Sequence, residues 1–231
     1  VLASSETVFS PEIVRYKTLE DGDSLALHIF KPRNMQAGEK RPAIVYFFGG
    51  GWKLGTPIQF YRECAYYASK GMVAVSVDYR IGYLHHSTPF ESFEDAKDAI
   101  CWLRSHASDY QLDPDKIAVA GGSAGGHLAA ALGTIGSDET VPAGYRPNLS
   151  VLYYPVIDMV SRGYGFPEIK RDFEKISPIH HVSEATPSTL ILLGTKDPIV
   201  SVETIEAYQD KLLQKGVDCE LHLFEGAGHP I

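Results

Sequence analysis

Lys116-Ile117-Ala118-Val119-Ala120-Gly121-Gly122-Ser123-Ala124-Gly125-Gly126-His127 decides how this chain is read. Lys116 to Ala120 is a short β-branched run of the kind that forms buried parallel strands, and Ala124 to Thr134 has the period of a helix. Ser123 falls at the turn between them, inside a G-x-S-x-G pattern. A serine at the tip of so sharp a turn needs neighbours without bulk, because strand and helix backbones pass close beside it. A plainer reading is a glycine-rich turn whose Ser123 caps the helix. A phosphate-binding loop fails on spacing, since His127-Leu128 stand where Lys and Ser or Thr would be required.

Outward from that turn, strands and helices alternate. Glu12 to Thr18, the turn Glu20-Asp21-Gly22-Asp23 and Leu25 to Phe30 read as strand, turn, strand. Ala43 to Phe48, Met72 to Asp78 and Leu149 to Tyr154 join Lys116 to Ala120 as buried parallel strands. Between them lie helical stretches at Gln59 to Lys70 and at Phe90 to Ser108, the latter with Phe93, Ala96, Ile100 and Leu103 on one stripe. Two last strands, Thr189 to Leu193 and Cys219 to Phe224, flank a helix from Val202 to Lys215 closed by Gly216. The pattern predicts an α/β fold with a mostly parallel central sheet of about eight strands, helices on both faces, and one domain over residues 1–231. One long irregular stretch, Met159 to Pro187, interrupts it.

Composition narrows the partners. The 231 residues carry 21 basic and 29 acidic side chains, a formal charge of −8, which leaves no basic stripe for a nucleic-acid backbone. No apolar run approaches the roughly 18 residues of a membrane span. Cys64, Cys101 and Cys219 show no CxxC spacing and read as buried thiols. Compartment and oligomeric state stay open; a bacterial secreted or periplasmic setting suits the chain as well as a cytoplasmic one.

Chemistry needs more than Ser123, because a hydroxyl is a poor nucleophile until a base takes its proton. Asp197 in Gly194-Thr195-Lys196-Asp197-Pro198 and His229 in Glu225-Gly226-Ala227-Gly228-His229 each follow a predicted strand, in the order Ser, Asp, His. Asp158, at another strand end, is a rival acid. Phe48-Gly49-Gly50-Gly51-Trp52 follows a strand as well, and three glycines in a row there let backbone N–H groups turn toward a developing oxyanion, with the Ala124 N–H as another donor. The pairs His85-His86 and His180-His181 lack metal-ligand spacing, so no metal is expected.

Gly49-Gly50-Gly51-Trp52, Asp78-Tyr79-Arg80, Gly121 to His127, Asp197 and His229 together resemble the esterases of the α/β-hydrolase superfamily across essentially the whole chain. Within it the resemblance is to the hormone-sensitive-lipase-like and the bacterial acetylxylan/feruloyl esterase groups. It implies Ser123 as nucleophile, His229 as base, Asp197 as its partner, oxyanion donors from Gly50, Gly51 and Ala124, and no cofactor. Two departures stand out: Phe48 occupies the place of the histidine that usually opens the oxyanion loop, and the final helix usual after the His loop is not expected here. Little or no cap is expected, giving an open cleft with Trp52 and Tyr79 as substrate contacts. The implied substrate is a small-molecule or carbohydrate ester with a short acyl group, acetyl or feruloyl, as in acetylated xylan. The rivals are an amide-cleaving relative, a peptidase or an aryl formamidase, and a non-catalytic binding module on the same fold.

Overall fold

Eight strands form a single sheet: β1 Glu12–Thr18, β2 Ser24–Phe30, β3 Arg41–Phe47, β4 Val73–Val77, β5 Leu112–Gly122, β6 Leu149–Tyr153, β7 Ser188–Gly194 and β8 Cys219–Phe224. Among the described residues five α-helices accompany them: α1 Tyr61–Ser69, α2 Gly82–His85, α3 Pro89–Ser105, α4 Ala124–Thr134 and α5 Val202–Gln214. This computed structural model describes residues 10–33, 35–136, 144–159 and 172–230. The strand order is β1-β2-β4-β3-β5-β6-β7-β8. β1 pairs with β2 and β2 with β4 antiparallel, and every later pairing is parallel.

Burial explains the sequence patterns. The interior strand β4 is buried at all five positions and so reads as an unbroken apolar run, whereas the edge strands β1 and β8 alternate or face water. α3 starts on a capping box, with the Thr88 side chain accepting from the Phe90 N–H and Glu91 reaching back to the Thr88 N–H, and Pro89 pre-sets the first turn. Its stripe of Phe93, Ala96, Ile100 and Leu103 is buried as the period predicts. α4 is buried over its whole length against β3, β5, β6 and α3, which its run of Ala and Gly permits.

Register places the site. Phe47 at the end of β3 pairs with Gly121, Gly122 with Tyr153, Tyr153 with Leu192, and Gly194 with Phe224. The carboxyl ends of five parallel strands therefore reach one rim together, where ligands bind in open α/β sheets.

Several expectations need correction. β5 begins at Leu112 rather than Lys116, because Leu112 pairs back to Arg41 beyond a register shift. The stretch expected as helix from Gln59 begins as a 3-10 turn, Pro57–Phe60. Of the three cysteines only Cys64 is buried; Cys101 is exposed and Cys219 is half-buried. Of the irregular stretch expected to leave the cleft without a cap, residues 160–171 lie outside those described, and 172–180 hold two short 3-10 turns that bury Ile176 and Ile179. Among the described residues no helix is long and apolar enough to cross a membrane.

Candidate active site

Ser123 stands between β5 and α4 with φ 55° and ψ −117°, a conformation L-residues rarely adopt. The tip is bound on three sides: its N–H donates to Tyr153 C=O at 3.0 Å, and its C=O accepts the N–H groups of His127 at 2.9 Å and Val156 at 3.3 Å. Close approach dictates the glycines around it. A Cβ at Gly125 would lie 2.0 Å from Phe47 O, and one at Gly121 would lie 2.4 Å from the Gly125 carbonyl. Ala124 opens α4, so its N–H has no intrahelical acceptor and lies at the positive end of the helix dipole.

Asp197 and His229 meet just beyond the ends of β7 and β8. His229 Nδ1 lies 2.7 Å from Asp197 Oδ2; a carboxylate can only accept, so Nδ1 carries a proton and, in the neutral ring, Nε2 is the nitrogen with the lone pair. Asp197 Oδ1 is held by the Ile199 and Val200 N–H groups at 2.8 and 2.9 Å, and its side chain is 0% exposed. The two loops are laced together, with Lys196 N–H donating to Ala227 C=O at 2.8 Å and Gly226 N–H to Thr195 Oγ1 at 2.8 Å. His229 is further held edge-on against the Tyr154 ring, 4.5 Å between centroids. The acid that meets this histidine is Asp197 rather than Asp158.

The glycine loop completes the rim. Gly50 has φ 133° and packs so closely under Leu54 that a Cβ would lie 2.0 Å from the Leu54 carbonyl oxygen. Among the described residues the Gly50 and Gly51 N–H groups donate to no other backbone group outside regular elements. Phe48, where a histidine was expected by resemblance, is fully buried and stacks on Tyr79 with centroids 4.1 Å apart at 15°. Aromatic packing replaces whatever polar anchor a histidine would supply.

A cleft of about 440 Å³ joins these parts; Gly49, Gly50, Gly51, Ser123 and His229 line it with Leu54, Gln59, Tyr154, Ile199 and Pro230. Trp52 and Tyr79 do not line it, which corrects the expectation that they touch substrate. Trp52 is 1% exposed and donates its indole N–H to His127 Nδ1 at 3.3 Å, and Tyr79 is 0% exposed and donates its hydroxyl to Phe48 C=O at 2.6 Å. Trp52 turns inward from the glycine loop and Tyr79 packs beneath that loop from the end of β4. Gln59, Tyr154 and Ile199 were not singled out from sequence. Tyr154 carried a usable signal, since it directly follows a predicted strand whose neighbours end at the same rim; Gln59 carried none. Among the described residues no group of three or more His, Cys, Asp or Glu could hold a metal. His85 Nδ1 instead accepts the Ile81 N–H at 3.0 Å, and His181 Nε2 lies 2.7 Å from Glu174 C=O.

A family model described as BD-FAE matches residues 27–161. The chain belongs to the BD-FAE family. Its fold is that of the α/β-hydrolase esterases: the thermophilic esterase Est2 of Thermogutta terrifontis superposes with a TM-score of 0.87 at 36% identity, covering 96% of this chain and 84% of that one. Structures of that esterase include forms with propionate bound, with butyrate bound and phosphorylated by paraoxon. Esterase LipC of Mycobacterium tuberculosis is 28% identical to this BD-FAE member over 223 residues, 83% of this chain and 53% of that protein. An acetylxylan esterase of Xylanibacter ruminicola is 26% identical over 227 residues, 91% and 44% respectively. The chain spans about half the length of the curated relatives it matches.

Proposed function

We propose that this protein is a serine carboxylesterase that hydrolyses short-chain acyl esters through Ser123, His229 and Asp197, with acetyl (or feruloyl) esters of carbohydrates such as acetylated xylan as the natural class. The observation that carries the reading is the Asp197–His229 hydrogen bond of 2.7 Å, whose histidine lines the same cleft as the strained Ser123. Esterase relatives in two separate comparisons support the reaction class.

The chemistry runs in two stages. Ser123 Oγ attacks the ester carbonyl carbon while His229 Nε2 takes the hydroxyl proton, and the imidazolium that forms is held by the Asp197 carboxylate. The carbonyl oxygen becomes an anion facing the N–H groups of Gly50, Gly51 and Ala124, each worth on the order of 10²–10³ in turnover. His229 then gives its proton to the departing alcohol, leaving an acyl-serine. Water, deprotonated by the same histidine, attacks that acyl group, and Ser123 leaves as the hydroxyl with the proton returned to it. The steps need no cofactor. Burial of Asp197 keeps water from competing for the imidazole, and two backbone N–H groups keep its carboxylate oriented.

The apolar lining suits an acyl group, and the relatives favour a short one. Leu54, Tyr154, Ile199 and Pro230 form an apolar wall around a cleft of about 440 Å³. The propionate and butyrate forms of the Thermogutta esterase and the acetylxylan esterase relative point the same way. Hydrolysis of acetyl, butyryl, octanoyl and feruloyl esters, followed by acetate release from acetylated xylan, tests the reading. Highest kcat/KM on two- to four-carbon acyl groups is expected; a preference for octanoyl esters, or activity confined to amides, contradicts it.

A further inference from the structure

The peptide unit joining Phe48 to Gly49 is gripped at both of its polar ends. Its carbonyl oxygen accepts the Tyr79 hydroxyl at 2.6 Å, and its N–H donates to Gln59 Oε1 at 2.5 Å. We propose that Tyr79 and Gln59 are positioning residues that lock this one peptide plane and thereby aim the Gly50 and Gly51 N–H groups at the reacting carbonyl oxygen, an inference that rests on the esterase reading above.

Both grips are themselves fixed to the sheet. Tyr79 follows β4, is fully buried and stacks on the Phe48 ring. Gln59 sits on the Pro57–Phe60 turn, whose Pro57 C=O accepts the Ser76 hydroxyl of β4 at 2.7 Å and whose Phe60 stacks on Tyr46 of β3, 4.8 Å between centroids. The gripped peptide is also where the loop passes closest to the serine turn. A Cβ on Gly49 would lie 2.9 Å from Gly122 O and 3.4 Å from Ser123 Cβ. Fixing this plane therefore fixes the distance between the donors and Ser123. The following two residues are glycines at φ 133° and 62°, whose backbone has the least resistance to rotation once the preceding plane is free. Gln59 also occupies the Gly49 N–H, which leaves the donor role to Gly50 and Gly51.

The test compares wild type with Tyr79→Phe, Gln59→Met and the double variant in kcat and KM on 4-nitrophenyl butyrate, in the rate of labelling by a fluorophosphonate, and in Tm. Tyr79→Phe keeps the aromatic stack and Gln59 itself is exposed, so both variants are expected to stay folded. Each single variant should lower kcat and the labelling rate by about 10-fold with KM within about twofold. The double variant should lose much less than the ~100-fold product, because both grips act on the same plane. Singles that keep kcat within about twofold, a rise in KM at unchanged kcat, or a multiplicative double variant overturns the proposal while leaving the esterase reading in place. A wild type inert to both ester and probe overturns that reading and this inference with it.

Discussion

The Trp52 indole N–H points at His127 Nδ1 from 3.3 Å, while His127 Nε2 lies 2.7 Å from Ile176 C=O. The indole can only donate and the carbonyl can only accept, so His127 is neutral with its proton on Nε2. One buried imidazole thus ties the glycine loop to the turn at Phe173–Ile176 from the first helical turn behind Ser123.

That linkage has a pH signature. Complete burial pushes the His127 pKa down from 6.5 to about 4. The unfolded chain binds this proton more readily than the folded one, so the contribution to stability is whole above pH 6.5 and is lost progressively as pH falls toward 4. The shift corresponds to about 3 kcal/mol across that window. Tm measured from pH 8 to pH 4 should fall more steeply for wild type than for His127→Gln, which has no proton to gain. Parallel curves would contradict this.

The Asp197–His229 pair makes a separate prediction. Asp197→Asn keeps the shape of the site but offers an N–H or a weaker acceptor to Nδ1, favouring the tautomer that cannot take the serine proton. A loss of about 10³–10⁴ in kcat with a small change in KM is expected from steady-state kinetics on a butyryl ester. Asp158→Asn, removing the rival acid, should stay within about tenfold of wild type.

Packing at the serine turn predicts a stability effect with no change of charge or polarity. Gly125→Ala puts a methyl 2.0 Å from the Phe47 carbonyl oxygen, where the nearest atoms are all backbone and no flexible side chain can move away. Chemical denaturation should report a loss of about 3 kcal/mol or more. Gly216→Ala meets nothing within 4 Å and is strained only by its φ of 73°, so a loss of about 1 kcal/mol is expected there.

Away from the cleft, Asp95 is 0% exposed and accepts Lys17 Nζ at 2.6 Å and Arg80 Nε at 2.8 Å, joining β1, the end of β4 and α3. Asp95→Asn leaves Arg80 facing a neutral amide and Lys17 with Asp98 as its remaining carboxylate partner, at 2.6 Å. Lys17 and Arg80 keep some contact with water, so the expected loss is about 2–3 kcal/mol rather than the ~3–5 of a wholly buried pair, read from urea denaturation.

Much of this was legible in the chain because physics writes it locally. Interior strands such as Val73–Val77 are buried on both faces and read as continuous apolar runs, and α4 follows its serine turn over the residues its period indicates. The meeting of Asp197 with His229 was legible because each sits in a glycine-bearing loop directly after a strand. Side-chain direction was not legible. Trp52 and Tyr79 adjoin functional segments in sequence, yet backbone geometry turns both into the core; Trp52 itself has φ 56°. Gln59 and Ile199 reach the cleft only because tertiary packing carries their turns to the rim. The start of β5 was hidden because Asp113-Pro114-Asp115 reads as a turn, while pairing of Leu112 with Arg41 extends the strand past it.

Reaction of the intact protein with a fluorophosphonate, read by mass spectrometry and peptide mapping, tests the central claim most directly. One stoichiometric adduct on Ser123 is expected in wild type, absent in Ser123→Ala and formed at least about 100-fold more slowly in His229→Ala. An unlabelled wild type, or an adduct that persists when Ser123 is replaced, contradicts it.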